Sequence, residues 1–133
     1  MKLLAILSAL PFLAAAEDLV WCGNARYYPS KYTCFDGFLC PKTNGEVYLK
    51  CGTACYSTRT YYCDSNQQLQ IYKPGPEPIL YCGGQPYYPS KYACYDTNFL
   101  CPILNGSPTL RCDKACYNPN EYSCVNGKLS KPT

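Results

Sequence analysis

The sequence predicts a small disulfide-rich fold of short β-strands and turns, organised as two tandem homologous modules. Three observations lead to this prediction: 12 cysteines in 133 residues, a cysteine pattern that occurs twice, and no stretch with a sustained helical period. Cysteine makes up about a tenth of the chain, a proportion typical of disulfide scaffolds. Aliphatic residues are few, so we expect disulfides, worth roughly 2–4 kcal/mol each, to supply much of the stability.

The first 16 residues have the features of a secretory signal peptide. Lys2 is followed by an apolar run, Leu3 to Leu13, and the three alanines at 14–16 fit the small residues that precede a cleavage site. The apolar run is well short of the roughly 20 residues that a membrane span needs, and the C-terminal end is polar. We therefore expect a secreted protein, extracellular or associated with a cell wall, without membrane insertion.

The segment from Cys22 to Cys63 is repeated from Cys82 to Cys124. The cysteine spacing is the same in both copies apart from one residue inserted near Thr97, and both copies contain Tyr-Tyr-Pro-Ser-Lys-Tyr. Several prolines and a glycine between the copies predict an extended, semi-rigid linker. The expected organisation is a signal peptide at 1–16, module one at 17–69, a linker at 70–80 and module two at 81–133.

Each module also consists of two similar halves. In every half, two cysteines stand 12 residues apart, with tyrosines five and ten positions after the first. Six cysteines allow many pairings, which the sequence alone does not separate. The internal symmetry favours the hypothesis that each half closes its own loop and a third disulfide joins the halves. The pairs would be Cys22–Cys34, Cys51–Cys63 and Cys40–Cys55 in module one, and Cys82–Cys94, Cys112–Cys124 and Cys101–Cys116 in module two.

Local signals predict hairpins and turns. Asn-Gly pairs at 44–45 and 105–106 favour tight two-residue turns between short strands. Residues 28–31, with proline in second position, suit a further turn. Asn105 also begins an Asn-Gly-Ser glycosylation acceptor, but Pro108 follows it directly and module one has no equivalent, so a simple turn is the alternative interpretation.

Composition excludes several classes of function. The chain has no histidine, so it lacks the Ser-His-Asp triad, the Cys-His pair and histidine-containing metal sites. The modules share one acidic position, Asp36 and Asp96, whereas glycoside hydrolysis usually needs two carboxyl groups across the scissile bond. Cys51 and Cys55 have a zinc-like spacing, but a secreted chain with even cysteine counts favours disulfides. We expect no enzymatic activity, no metal and no cofactor.

Basic and acidic residues are nearly balanced, with 12 lysines and arginines against 9 aspartates and glutamates, and no basic residues are clustered. We therefore do not expect nucleic acid as a partner.

The aromatic residues divide into two sets. One set recurs in all four halves beside cysteines, and we expect it to pack in the core: Tyr27, Tyr32, Tyr56, Tyr61, Tyr87, Tyr92, Tyr117 and Tyr122. The other set occurs only in the first half of each module, so it is free to serve recognition. Flat rings beside a few polar groups suit a neutral sugar chain. The candidate carbohydrate-binding residues, expected side by side at the surface, are Trp21, Tyr28, Lys31, Phe35, Asp36, Tyr81, Tyr88, Lys91, Tyr95 and Asp96.

Residues 22–41 and 82–102 share Cys-Gly, Tyr-Pro-Ser-Lys-Tyr-x-Cys and Phe-Leu-Cys-Pro, and they resemble the fungal family 52 carbohydrate-binding modules. Residues 115–129 are similar to the end of the same module. Members of that family are typically attached to secreted fungal glucanases acting on β-1,3-glucan, so the resemblance implies a glucan or other cell-wall polysaccharide as the partner. Since the sequence contains no catalytic domain, the resemblance implies a fungal lectin or wall-associated protein.

These patterns predict a secreted lectin-like protein that binds cell-wall polysaccharide, above all β-1,3-glucan, bivalently and without turnover. Each module would stack a few sugar rings, and the linker would hold the second site at an effective concentration of order millimolar. Two alternatives stay open. One is a secreted protein-interaction or inhibitor protein of the effector type, since aromatic residues are enriched at protein interfaces; the other is a structural wall protein.

Overall fold

The computed structural model describes residues 17–131, so the predicted signal peptide, residues 1–16, lies outside the described residues. The described part contains no helix that could span a membrane. Its regular elements are short β-strands. Module one contains β1 (Val20–Cys22), β2 (Ala25–Tyr27), β3 (Tyr32–Phe35), β4 (Phe38–Thr43), β5 (Glu46–Val47), β6 (Leu49–Cys51), β7 (Ala54–Tyr56), β8 (Tyr61–Cys63) and β9 (Leu69–Ile71). Module two contains β10 (Leu80–Cys82), β11 (Gln85–Tyr87), β12 (Tyr92–Tyr95), β13 (Phe99–Leu104), β14 (Ser107–Pro108), β15 (Leu110–Cys112), β16 (Ala115–Tyr117), β17 (Ser123–Val125) and β18 (Lys128–Ser130).

Each half-module consists of two antiparallel hairpins joined by a short loop. In module one these are β1–β2 and β3–β4, with β5 added to β4, and then β6–β7 and β8–β9. In the first joining loop, the Tyr28 carbonyl accepts hydrogen bonds from the amides of Lys31 (2.8 Å) and Tyr32 (3.2 Å). The loops that begin at Ser57, Tyr88 and Asn118 make the same pair of bonds. One structural unit is therefore repeated four times, and the all-β, two-module fold class predicted from the sequence is confirmed.

Two-residue turns set the register of several hairpins. In the turns at 44–45 and 105–106, φ is 52° at the asparagine and 80° at the glycine, which is the positive-φ geometry of a type I′ hairpin. The hairpin signals read from these pairs are thus correct, and Asn105 lies exposed in its turn. Asp36 and Gly37 form a similar turn between β3 and β4. The inserted residue of module two lengthens the equivalent turn, because Tyr95 pairs with Phe99 across three residues.

Six disulfides contain all twelve cysteines, with the pairing that the internal symmetry favours. Each half has one disulfide between its two hairpins, and these are Cys22–Cys34, Cys51–Cys63, Cys82–Cys94 and Cys112–Cys124. The halves of each module are joined by Cys40–Cys55 or by Cys101–Cys116. Cys40 and Cys101 are fully buried, whereas Cys55 is half-buried and Cys116 is exposed, so each of these disulfides runs from the interior of its module toward the surface.

The two modules share one hydrophobic core. Its buried members are Val47, Leu49, Cys51 and Tyr56 from module one and Ala93 and Leu110 from module two. The modules are therefore packed against each other and are not joined by the linker alone.

The contacts between the modules are reciprocal. Thr58 Oγ1 donates to the carbonyl of Gly106 (3.2 Å), in the Asn-Gly turn of module two. In exchange, Asn120 Nδ2 donates to the carbonyl of Gly45 (3.0 Å), in the equivalent turn of module one. Exchanged contacts of this kind are typical of an isologous interface between two equal units. The duplicated modules thus pair within one chain as two copies of a symmetric dimer would.

A glutamate anchors the segment that precedes the first strand of each module. The Glu77 carboxylate accepts hydrogen bonds from the backbone amide (2.6 Å) and the hydroxyl (2.8 Å) of Ser90. Glu17 accepts from the same two groups of Ser30, with the amide at 2.7 Å. The structural repeat thus begins five residues before the first cysteine, and the end of the predicted linker is bound to module two.

Candidate functional site

The first hairpin of module one presents two aromatic rings on its outer face. Val20 pairs with the buried Tyr27, and the next pair along, Trp21 opposite Arg26, points to the other face. Tyr28 follows the buried Tyr27 at the end of β2, and the proline after it favours an extended backbone, so side-chain alternation directs Tyr28 to the same face as Trp21. The side chain of Trp21 is 65% exposed and that of Tyr28 is 42% exposed. We call Trp21 and Tyr28 the outer pair of module one.

Module two repeats this arrangement on β10 and β11. Tyr81 is 65% exposed and Tyr88 is 48% exposed, and we call them the outer pair of module two. The support beneath the rings differs, because the Arg26 guanidinium lies 5.1 Å from the centre of the Trp21 ring whereas Pro86 stands opposite Tyr81. In the second halves, the equivalent positions carry no aromatic ring and are Lys50, Ser57, Arg111 and Asn118.

The prediction that Phe35 and Tyr95 are displayed at the surface was wrong, because both pack against the shared core. Strand alternation explains this placement: Ala93 on β12 faces the core, and Tyr95, two residues later, points to the same side. The Tyr95 hydroxyl donates to the carbonyl of Thr109 at 2.7 Å. Burial, with smaller effects from neighbouring tyrosines, raises the pKa of Tyr95 well above its usual value.

The prediction that Tyr32 and Tyr92 pack in the core was also wrong. Their side chains are 40% and 42% exposed. The same alternation is the reason, because each immediately precedes a residue that points inward, Thr33 or Ala93. The alternation of side chains along β3 and β12 could have predicted this exposure from the sequence. The prediction instead followed the cysteine-based repeat, which groups Tyr32 and Tyr92 with the buried tyrosines. The remaining tyrosines of that set are buried or half-buried: Tyr27, Tyr56, Tyr61, Tyr87, Tyr117 and Tyr122.

The equivalent acidic residues Asp36 and Asp96, predicted to contact sugar, have a structural role in both modules. Asp36 and Asp96 occupy positive-φ turn positions, with φ of 47° and 54°. Asp96 also forms an ion pair with Arg111, with 3.0 Å between Oδ2 and the guanidinium nitrogen. The remaining predicted polar residues, Lys31 and Lys91, are exposed on the loops that begin at the tyrosines of the outer pairs.

A cleft of about 830 Å³ lies between the two modules. Aromatic rings from both modules line it, and these include Phe35, Tyr61, Tyr62, Tyr81, Tyr92 and Tyr117. Burial raises the pKa of Tyr117 to about 12, with a smaller effect from Tyr27, so its hydroxyl remains a neutral donor at neutral pH. The cleft therefore unites Phe35 and Tyr95 with second-half residues that the sequence patterns did not indicate. Its location depends on how the modules pack, which no local pattern encodes.

A family model described as carbohydrate binding matches residues 21–69 and 81–129. The chain belongs to this carbohydrate-binding family. The match occurs twice, so the resemblance found in the sequence and the presence of two tandem copies are confirmed. Because the matched family is a family of binding modules, the two modules are assigned to carbohydrate binding and not to catalysis.

One relative of this carbohydrate-binding protein is the primary septum glucan endo-1,3-beta-D-glucosidase of Schizosaccharomyces pombe. The two are 34% identical over 142 aligned positions, which include 87% of this chain and 14% of the relative. The chain thus spans a small part of that protein's length. No solved structure matches the chain.

This carbohydrate-binding protein offers two kinds of surface for a sugar, the exposed outer pairs and the cleft between the modules. The outer pairs are open ring faces, on which the apolar C–H face of a pyranose can stack. Each lies on a hairpin fixed by a disulfide, since Cys22 in β1 and Cys82 in β10 are joined to the next hairpin. The backbone that carries the rings is therefore held in place before any ligand arrives, which reduces the entropy lost on binding.

Proposed function

We propose that the protein is secreted and holds cell-wall polysaccharide, β-1,3-glucan in the first place, through the outer pairs of both modules and without turnover. One observation carries this proposal: each module exposes an aromatic pair at the same place on its first hairpin, and the second halves lack it. A duplicated site suits a polymer, because a polymer offers the same binding unit many times.

The chemistry of each outer pair fits a neutral sugar chain. Ring faces remove the apolar face of a sugar from water, and nearby donors such as Lys31 or Lys91 can bond its hydroxyls. Tyr28 and Tyr88 add a phenolic hydroxyl at the edge of the ring, which can both donate and accept. Such contacts are individually weak, so each module would hold only a short part of the chain.

Bivalency increases retention because a second contact on the same polymer becomes intramolecular. The sequence suggested that the linker would set the effective concentration of the second site. In the structure, the shared core holds the modules together, so their packing replaces linker length as the determinant. A rigid pair of sites loses little further conformational entropy when the second site engages.

The choice of β-1,3-glucan as the ligand and of a cell wall as the location is supported by observations other than the outer pairs. The name of the fission yeast relative specifies endo-1,3-beta-D-glucosidase activity at the primary septum, which favours β-1,3-glucan as the polymer and a wall as its place. The six disulfides favour an oxidising, extracellular setting. The assignment of both modules to a binding family supports capture without catalysis.

Retention on insoluble β-1,3-glucan tests this proposal, with chitin, cellulose and mannan as competing solids. Tyr28→Ala and Tyr88→Ala each remove one ring of an outer pair. Each single variant should be retained less than the native protein, and the double variant should lose far more than either because avidity is lost. Leu104→Ala is the matched control, since Leu104 is 57% exposed and is not aromatic. Native-like retention of the double variant, or no preference for β-1,3-glucan, would refute the proposal.

A further inference from the structure

We propose that the cleft between the modules is a separate binding site for a short, neutral gluco-oligosaccharide or for one segment of a glucan chain. This inference rests on the proposed function for the identity of the sugar. Apart from Tyr81, the residues that line the cleft are not members of the outer pairs, and the proposal predicts one such site for each chain.

The size and walls of the cleft suit an oligosaccharide. Its volume of about 830 Å³ lies within the range of roughly 300–1,000 Å³ that is usual for small-molecule sites. Tyr62 from module one and Tyr92 and Tyr117 from module two line it, so rings approach from both sides. A sugar in the cleft could thus be contacted on both of its faces, whereas an outer pair contacts only one.

The charges of the cleft favour a neutral polyhydroxyl ligand. The charged residues that line it are Lys50, Arg111, Asp36, Asp64, Asp96 and Asp113. Arg111 is paired with Asp96, so the remaining lining charges are mainly carboxylates. Carboxylates accept strong hydrogen bonds from sugar hydroxyls, whereas they repel an acidic sugar. The composition therefore argues against uronic acids and for a neutral sugar, and the choice of glucose rests on the proposed function.

The polar groups of the cleft are held in place by the protein itself. Arg111 donates from Nε to the carbonyl of Asp113 (2.8 Å), and its guanidinium lies 4.3 Å from the centre of the Phe99 ring. The Asp64 carboxylate accepts from the backbone amides of Asn66 (2.9 Å) and Gln68 (3.0 Å). Groups that are already oriented lose little entropy when a ligand binds, which favours recognition.

The cleft breaks the equivalence of the two modules. Tyr81, from the outer pair of module two, lines the cleft, whereas its counterpart Trp21 does not. Tyr92 lines it too, whereas its counterpart Tyr32 lines a separate hollow of about 90 Å³. A glucan on the outer pair of module two could therefore continue into the cleft. The chain offers a matched pair of variants, Tyr92→Ala and Tyr32→Ala, at equally exposed equivalent positions.

Isothermal titration with a soluble β-1,3-linked glucose hexamer tests the inference on the full protein. Tyr92→Ala should weaken binding about tenfold, the effect of losing one good stacking contact, and Tyr32→Ala should leave it within about twofold of native. An oligomer of a uronic acid should bind much more weakly than the glucose hexamer. Equal losses in both variants, or none in either, would overturn the assignment of the cleft.

The two proposals fail in different ways. If the native protein is retained on insoluble glucan but shows no saturable binding of the hexamer, the cleft proposal is wrong and the proposed function stands. If the hexamer binds with the expected difference between Tyr92→Ala and Tyr32→Ala while Tyr28→Ala/Tyr88→Ala is retained like the native protein, the cleft is supported and the outer-pair mechanism is wrong.

Discussion

Lys42 joins the two modules through a single ammonium group. Its Nζ donates to the carbonyl of Pro29 (2.8 Å) in its own module and to that of Pro119 (2.9 Å) in the other. Burial lowers the pKa of Lys42, and the Glu17 carboxylate opposes this by favouring the charged form. The charge is therefore placed in a partly dry position where two carbonyls compensate for the lost water.

Replacing Lys42 by methionine should destabilise the protein by about 1–3 kcal/mol, because two carbonyls lose their shared donor while the apolar stem is preserved. Urea unfolding at neutral pH measures the change in the free energy of unfolding. Lys31→Met is the control, since Lys31 is exposed, and it should change stability by less than about 0.5 kcal/mol. A loss below about 0.5 kcal/mol in Lys42→Met, as expected for Lys31→Met, would show that the contacts of Lys42 contribute little to stability.

The half-buried tyrosines predict a loss of stability in alkali. The pKa values of Tyr117 and Tyr72 are both raised to about 12, and burial is the largest cause in each case. In the unfolded chain a tyrosine ionises near about pH 10, so above that pH the unfolded state binds fewer protons than the folded state. The free energy of unfolding should therefore be unaffected by these groups below about pH 10 and fall as the pH rises toward 12.

Urea unfolding at a series of pH values between about 8 and 11 checks this prediction. This range includes the pKa of tyrosine in the unfolded chain, near about 10. Tyr117→Phe removes one of the shifted hydroxyls and should make the alkaline decline less steep. An unchanged slope in Tyr117→Phe, or a native stability that does not fall in this range, would contradict the assignment.

The hairpin turn between β10 and β11 contains two glycines that are needed for different reasons, backbone conformation in one case and both conformation and close packing in the other. Gly83 and Gly84 both have positive φ, 57° and 86°. A Cβ on Gly83 would lie 2.9 Å from Cβ of Asn98, in the turn between β12 and β13, whereas a Cβ on Gly84 would meet nothing within 4 Å. Only the first glycine therefore combines backbone conformation with close packing between hairpins.

Alanine at Gly84 should cost about 1–2 kcal/mol from the left-handed backbone alone. Alanine at Gly83 should cost more, because the backbone of Asn98 must also move. Thermal unfolding of the two variants compares the effects directly. A Gly84→Ala variant that is as unstable as Gly83→Ala would show that conformation, and not the approach of the second hairpin, is what requires Gly83.

Hairpins and disulfides were predictable because the information for them is local. Positive-φ Asn-Gly turns and a cysteine spacing repeated in four halves each describe neighbouring parts of the chain. Side-chain exposure was predicted less well. Repetition showed that Phe35 and Tyr95 are special to the first halves, but only strand alternation shows that they point inward and that Tyr32 and Tyr92 point outward. The outer pairs were found because exposure and uniqueness to the first halves coincide there.

At the scale of the whole molecule, the sequence contained the modules but not their packing. The duplicated pattern indicates two equal units and the proline-rich segment between them indicates an extended linker, but neither pattern says whether the modules touch. The shared core uses Leu49 of module one and Leu110 of module two, which occupy equivalent positions in their modules. Each residue is compatible with a core inside its own module, so pattern alone does not reveal that the two cores are one. The cleft follows from that packing and was unpredictable for the same reason.

A core that spans both modules should make them unfold together. Leu110 is 3% exposed and packs in the shared cluster, so Leu110→Ala should cost about 2–5 kcal/mol. Calorimetry should show one transition for the native protein, and the whole transition should move to lower temperature in the variant. Leu104→Ala, at a 57% exposed position in the same module, should leave it unmoved. Two transitions, of which Leu110→Ala shifts only one, would mean that each module is stable alone and that the shared core does not couple them.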